Sequence, residues 1–320
     1  MPLLSVQDLQ THFHTEHGVV KAVDGVSFEL EPGQILGLVG ESGSGKSVTN
    51  LSILRLVPTP PGRYAGGRIL FEDRDILQMS DREIRSLRGN RIARIFQDPM
   101  TSLNPTLRIG RQITEVLRLH LKLDKAAARK RAIELLEQVG IPGPAQRIDQ
   151  YPHELSGGMR QRVVIAMALA CEPALLLADE PTTALDVTIQ AQILELIQTL
   201  ARERGTAVVM VTHDLGVVAG VADKVAVMYG GRIVERGPVE SLYAQPQHPY
   251  TRGLLASVPR LDTRGVLTPI EGMPPNLADM GPECAFLPRC PLREVRCQVY
   301  PDWQGTPTRG AACWRAGEHS

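Results

Sequence analysis

The chain of 320 residues is long enough for about two domains. Its 35 Lys and Arg residues balance 35 Asp and Glu residues, and 43% of the residues are hydrophobic. This composition is typical of a folded globular protein rather than a disordered one, and the zero net charge argues against general nucleic-acid binding. The longest clean apolar run, Val163 to Cys171, is far shorter than the ~20 residues that span a bilayer. Residues 1–12 lack the regions of a secretory signal, so we expect a cytoplasmic protein.

Short apolar runs alternate with helical patterns in the first half, which predicts an α/β fold with a parallel sheet flanked by helices. Apolar runs without polar alternation predict buried strands at 34–39, 175–178 and 207–211. A hairpin is predicted at 224–235.

Residues 124–139 have the pattern of an amphipathic helix, with Asp124 as its N-cap and Gly140 at its end. From about residue 243 prolines become frequent and the apolar periodicity fades. We therefore expect residues 256–320 to form a loop-rich region that buries little core of its own and needs a stabilising cross-link, such as a bound metal.

The segment Gly40 to Ser47, GESGSGKS, matches the pattern G-x-x-x-x-G-K-[ST] directly after a predicted strand. Its glycines allow successive N–H groups to face a phosphate at the start of a helix. Lys46 is predicted to neutralise phosphate charge, and the Ser47 hydroxyl to bind Mg²⁺. The segment therefore predicts a nucleotide site.

Polar residues follow three other apolar runs. Asp179 and Glu180 follow the run 175–178, and in a phosphate-loop fold Asp179 would hold the Mg²⁺ shell while Glu180 acts as general base. His213 is placed to contact the γ-phosphate, and Gln97 to reach Mg²⁺ or water. For each, a purely structural or solvated role is the alternative.

The segment Leu155 to Gln161, LSGGMRQ, predicts a second anion-binding helix end, with Ser156 as N-cap before two glycines. One nucleotide does not need two such ends in one chain. We therefore expect a dimer in which each chain's second helix end closes over the nucleotide of its partner.

This set of motifs, with TALD at 183–186, resembles the ATP-binding subunit of an ABC transporter over about residues 3–255. The resemblance implies a P-loop NTPase fold, with a RecA-like core, an antiparallel β subdomain and a helical subdomain at about 98–165 that meets the permease. It implies one nucleotide-binding domain at 1–255, followed by a small Cys-rich, loop-dominated C-terminal region at 256–320.

The resemblance also assigns roles to residues. Gln97 would be the Q-loop, Asp186 the D-loop and His213 the switch histidine. Phe13 would stack on adenine, with a Phe of the hydrophobic core as the alternative. The implied catalytic residues are Glu180, His213 and Gln97, and the Mg²⁺ ligands are Ser47, Gln97 and Asp179. The implied ATP-binding residues are Phe13, Gly40, Ser42, Gly43, Gly45, Lys46, Ser47, Val48, Gln97, Ser156, Gly157, Gly158, Asp179 and Asp186.

Three further segments are similar to the dipeptide, oligopeptide and nickel importer group: FQDPMTSLNP at 96–105, GMRQRV at 158–163 and HPYT at 248–251. Within that group, MRQRV at 159–163 is similar to the D-type subunit rather than to the F-type. This implies peptide import with an ATPase subunit of the related F type, two permease subunits and an external solute-binding protein, at the cytoplasmic face of the inner membrane. Nickel or another small solute is the alternative cargo. A soluble ABC-type ATPase acting on ribosomes or DNA, and a module with vestigial hydrolysis, are the competing classes.

Four cysteines, Cys284, Cys290, Cys297 and Cys313, lie in the last 37 residues. In a reducing compartment clustered thiols point to a metal, and spacing without C-x₂-C pairs favours an iron–sulfur cluster over zinc. The resemblance implies a [4Fe-4S] cluster, with Zn²⁺ or unliganded thiols as alternatives, and we expect the cluster to organise the tail. Arg289 and Arg293 are interpreted as solvated surface residues, and Cys171 as a buried thiol.

Overall fold

The computed structural model describes residues 1–16, 18–98, 102–182, 187–258 and 269–317. The chain divides into two compact units. The first comprises Met1–Glu31, Ile35–Gln78 and Val211–Ser320, and the second comprises Pro32–Gln34 and Met79–Met210. These units are defined by spatial contacts, whereas the predicted domains at 1–255 and 256–320 and the helical subdomain at 98–165 follow from the family resemblance. Those domain boundaries stay predictions.

The strands are β1 Leu4–Thr15, β2 Gly18–Leu30, β3 Ile35–Val39, β4 Gly62–Phe71, β5 Arg74–Asp75, β6 Ile92–Ile95, β7 Leu175–Asp179, β8 Ala207–Thr212, β9 Lys224–Tyr229, β10 Arg232–Pro238, β11 Gln304–Gly305 and β12 Gly310–Ala311. The α-helices are α1 Lys46–Ile53, α2 Asp81–Leu87, α3 Ile109–Leu121, α4 Lys125–Gln138, α5 Pro144–Arg147, α6 Gly157–Leu169, α7 Val187–Arg204, α8 Leu215–Val221, α9 Val239–Ala244 and α10 Pro249–Ala256. Short 3₁₀ helices lie at Ile76–Gln78, Pro152–Glu154, Leu287–Arg289 and Val295–Gln298.

The first unit contains an antiparallel sheet in the order β2-β1-β4-β5. It also contains β3, which pairs in parallel with β9 so that Val39 lies opposite Val227. Antiparallel pairs then extend from β9 to β10, β12 and β11. The all-buried β3 confirms the strand predicted at 34–39, and the pairing of β9 with β10 confirms the hairpin predicted at 224–235.

In the second unit β6 pairs in parallel with β7, and Ile95 lies opposite Ala178. Parallel strands place their carboxyl ends at one edge, so the residues that follow β6 and β7 are neighbours. The predicted helix at 124–139 is confirmed as α4. The Asp124 carboxylate accepts hydrogen bonds from the N–H groups of Ala126 and Ala127 at its start.

Residues 269–317 contain few regular elements, and buried residues of this segment belong to a core that they share with the rest of the first unit. Phe286 is buried and joins a core of the first unit that includes Val39, Val227 and Tyr250. Ala311 of β12 pairs with Glu235 of β10. Hydrophobic burial and strand pairing therefore hold this segment, which we call the C-terminal segment.

Candidate nucleotide-binding site

The phosphate loop, residues 40–47, connects the buried strand β3 to helix α1. Gly45 has φ of 104°, and a Cβ there would overlap the carbonyl oxygen of Ala22. A Cβ at Gly40, where φ is 150°, would overlap the carbonyl oxygen of Met228. Glycine is therefore required at both positions, because an L side chain fits neither the conformation nor the space.

Lys46 lies inside this loop and is 6% exposed. Its Nζ donates hydrogen bonds to the carbonyl oxygens of Gly40 at 2.7 Å and Glu41 at 2.8 Å. Ser42, Gly43 and Ser47 are exposed, and nothing lies within 4 Å of a Cβ built at Gly43. A buried ammonium beneath an open loop surface fits the charge and shape of a nucleotide phosphate.

Two predicted residues of the second unit are in direct contact. The Gln97 Nε2 donates a hydrogen bond to the Glu180 Oε2 at 2.9 Å, which orients the carboxylate. Glu180 has φ of 46°, a conformation that costs energy for a residue with a side chain. Strand β7 thus ends at Asp179, and the chain turns sharply at the predicted base.

Arg94 of β6 is a site residue that the sequence analysis did not identify. Its Nη2 donates a hydrogen bond to Asp179 Oδ2 at 2.6 Å, and the side chains are 8% and 4% exposed. The sequence could have predicted this ion pair, because a charged residue lies in the short apolar strand Ile92-Ala93-Arg94-Ile95 and a buried cation needs an anionic partner. This ion pair holds the predicted magnesium ligand in a fixed position.

The predicted helix start at Ser156 is confirmed: its Oγ accepts a hydrogen bond from the Met159 N–H, and α6 begins at Gly157. Ser156 and Gly157 are exposed, whereas Gly158 lies against Ile189.

The remaining predicted residues are described by the elements that carry them. In the first unit, His213 is exposed directly after β8. Phe13 is half-buried in β1, opposite Val20 and Gly62, and Val48 lies in α1. Asp186, with the segment 183–186, lies outside the described residues.

The four C-terminal cysteines line one small cavity of about 20 Å³ with Phe286. Burial raises the pKa of the Cys284 thiol to about 11, and it also raises the pKa values of Cys290 and Cys313.

The prediction of an iron–sulfur cluster, with zinc as its alternative, is wrong. In the part of the chain that the structure describes, no group of three or more His, Cys, Asp or Glu side chains is arranged to hold a metal ion. The sequence places four cysteines in one short segment, but their spacing along the chain does not specify whether their side chains meet the geometry of a metal site. The predicted buried state of Cys171 is closer to the structure: it is partly buried, and its pKa is raised to about 11.

Two family models match the chain. Residues 23–183 match "ABC transporter", and residues 234–297 match "Oligopeptide/dipeptide transporter, C-terminal region". The dipeptide transport ATP-binding protein DppD of Bacillus subtilis is 57% identical over 93% of this chain and 90% of its own length. The oligopeptide transport ATP-binding protein OppD of Salmonella typhimurium is 51% identical over 99% of this chain and 94% of its own length.

A solved structure agrees with these matches. A dimeric ATP-binding cassette in a post-hydrolysis state with ADP and Pi superposes with a TM-score of 0.67 and 27% identity, covering 74% of this chain and 98% of that one. The fold and the phosphate loop define an ATP-hydrolysing cassette, for which ATP and Mg²⁺ are the expected cofactors. The chain belongs to the ABC transporter family, in the group of ATP-binding subunits related to those of dipeptide and oligopeptide transport.

Proposed function

We propose that this chain is the ATP-hydrolysing subunit of an importer, which energises uptake of di- and oligopeptides through permease subunits. The observation that carries the proposal is the presence, in one chain, of a complete phosphate loop and of a region that matches the C-terminal region of oligopeptide/dipeptide transporters. Within the described ranges, no helix combines the length and the apolar character needed to cross a membrane. By its relation to peptide-transport ATP-binding proteins, the chain would attach to the cytoplasmic face of the membrane through the permeases.

The residues of the phosphate loop bind the nucleotide in this proposal. The backbone N–H groups of the exposed residues Ser42 and Gly43 and the Lys46 ammonium would donate hydrogen bonds to the β- and γ-phosphates. Ser47 and Asp179, with Gln97, would hold Mg²⁺, which when bound supplies positive charge that stabilises the negative charge on the phosphate oxygens. Arg94 keeps the Asp179 carboxylate in one orientation.

Glu180 is the proposed general base. The hydrogen bond from Gln97 orients its carboxylate to accept a proton from the attacking water. His213 would contact the γ-phosphate. The barrier falls because these groups are positioned before reaction and need not reorganise.

The proposed assembly contains two ATPase subunits, two permeases and an external solute-binding protein. The exposed N-terminus of α6 at Ser156 supports a role across a subunit interface, because its N–H groups are available to the phosphate of a partner's nucleotide. We propose a related F-type subunit as that partner, and the helical subdomain at 98–165 as the permease contact.

Substitution of Glu180 tests the catalytic part of the proposal. In the assembled transporter, Glu180→Gln should bind MgATP within about three-fold of wild type but lower ATP turnover by about 10²–10³-fold, because the amide cannot accept the proton. The matched control is Glu195→Gln, an exposed acid on α7, which should leave turnover unchanged. Wild-type turnover in Glu180→Gln would exclude this residue as the base.

The transport part is tested by co-purification and uptake. The chain should purify with permease subunits in mild detergent, and vesicles containing the complex should accumulate a labelled dipeptide only with internal ATP. Co-sedimentation with ribosomes instead, or uptake of Ni²⁺ but not of peptide, would contradict the proposal.

A further inference from the structure

An ion pair joins the C-terminal segment to the phosphate loop. Arg289 donates hydrogen bonds from Nη1 to Glu41 Oε2 at 2.6 Å and from Nη2 to Glu41 Oε1 at 3.0 Å. The side chain of Arg289 is 4% exposed and that of Glu41 is 27% exposed. This two-pronged geometry is the strongest form of an arginine–carboxylate contact, and it corrects the interpretation of Arg289 as a solvated surface residue.

The guanidinium is fixed by its other donors. Its Nε donates to the carbonyl oxygen of Glu271 at 2.9 Å, and its Nη2 also donates to that of Ile270 at 3.2 Å. Its Nη1 also donates to the Tyr229 hydroxyl at 3.2 Å. All five N–H groups of the guanidinium therefore have an acceptor, and Arg289 presents its charge to Glu41 from a rigid position.

Glu41 is held at its backbone as well. Its N–H donates a hydrogen bond to the Tyr250 hydroxyl at 2.8 Å, and its carbonyl oxygen accepts one from Lys46 Nζ at 2.8 Å. Tyr250 belongs to the HPYT segment and packs against Tyr229, with ring centroids 4.4 Å apart. The HPYT segment and Arg289 thus hold the same residue of the phosphate loop from two directions.

The negative charge of Glu41 would affect nucleotide binding. Glu41 and Lys46 belong to one eight-residue loop, and that loop binds a highly anionic triphosphate. An uncompensated carboxylate in this loop would disfavour binding of the triphosphate, because like charges repel each other. Arg289 neutralises the carboxylate with a cation that comes from the C-terminal segment.

We propose that Arg289 is a positioning residue for nucleotide binding: by neutralising and fixing Glu41, it allows the phosphate loop to accept MgATP. The inference rests on the proposed function only through MgATP binding at this loop. It gives the C-terminal segment a direct part in the nucleotide site. It also predicts that the two side chains act as a pair and not independently.

The experiment measures equilibrium MgATP binding and steady-state hydrolysis in the assembled transporter. Arg289→Gln should weaken MgATP binding and raise KM about ten-fold, with kcat within about two-fold, because it leaves the Glu41 carboxylate unpaired. Arg289→Lys keeps the positive charge but cannot form both parallel hydrogen bonds to the Glu41 carboxylate, so it should weaken MgATP binding about three-fold. The double variant Glu41→Gln/Arg289→Gln should return to within about two-fold of wild type, because the repulsive carboxylate is gone.

The matched control is Arg296→Gln. Arg296 lies in the same segment and pairs with Glu294 at 2.7 Å, but its side chain is 45% exposed. It should bind MgATP like wild type. Thermal midpoints of all variants separate a loss of folding from a loss of binding.

Two results would overturn the inference. The first is a wild-type affinity for MgATP in Arg289→Gln. The second is a lowered thermal midpoint of Arg289→Gln together with a weak MgATP affinity that the added Glu41→Gln substitution does not restore, which would indicate a purely structural contact. Failure of the proposed function gives a different result, because wild type and Arg296→Gln would then also fail to bind MgATP.

Discussion

The phosphate loop and the C-terminal segment touch each other, yet they are specified in different ways. The loop is eight consecutive residues, and the positive φ of Gly45 and the hydrogen bonds from Lys46 to the carbonyl oxygens of Gly40 and Glu41 lie within it. The C-terminal segment has few regular elements, and it is held by a buried aromatic ring, a short strand pair and one ion pair with a residue 248 positions away. The residues predicted to bind phosphate are adjacent in the sequence, whereas the contacts that support the phosphate loop come from residues that are distant in the sequence.

The largest expected effect is a loss of stability when the buried aromatic ring of the C-terminal segment is removed. Phe286→Ala should lower the free energy of unfolding by about 3–5 kcal/mol, because Phe286 is 2% exposed and packs against Tyr229 and Tyr250. Urea unfolding of the full chain measures it. Val295→Ala, in the same segment and 82% exposed, should change stability by less than about 0.5 kcal/mol. Equal effects of the two substitutions would show that burial of Phe286 does not anchor the segment.

A smaller effect is expected on binding alone. Lys46→Ala should weaken MgATP binding by about 100-fold, because it removes a charged donor worth about 1.5–3 kcal/mol. Equilibrium binding with a fluorescent ATP analogue measures it, and Lys125→Ala, an exposed lysine at the start of α4, is the control. If Lys46→Ala bound normally, the phosphate loop would not be the nucleotide site.

The smallest effect concerns pH and the HPYT segment. Burial lowers the pKa of His248 to about 3, and its Nδ1 accepts the N-cap hydrogen bond from the Tyr250 N–H. A lowered pKa in the folded state means that the stability from neutral His248 is present above its ordinary value of 6.5 and is lost as pH falls towards 3. Between pH 7.5 and 5.5, wild type should lose about 1.4 kcal/mol more unfolding free energy than His248→Asn, whose side chain keeps the cap.

His153→Asn, an exposed histidine, is the matched control and should follow the wild-type pH profile. Glu235 contacts the same turn through the His248 N–H, and burial raises its pKa, but it is present in all three proteins and cancels in the comparison. Parallel pH profiles for wild type and His248→Asn would show that His248 does not titrate on unfolding.

Features that a few adjacent residues determine were predictable. The glycines at 40 and 45, the caps Asp124 and Ser156, and the carboxylates after β7 follow from φ preferences, capping and strand patterns. Even the contact between Gln97 and Glu180 was within reach, because both follow strands that turn out to be parallel neighbours.

The sequence alone thus determined the α/β fold class, the phosphate loop and the family, since these depend on short-range backbone geometry and contiguous motifs. The tertiary structure decided the rest. It paired Arg94 with Asp179 across 85 residues, brought Arg289 to Glu41, and arranged four cysteines so that they do not form a metal site. These outcomes depend on strand register and side-chain packing between distant segments, which neither spacing nor composition specifies.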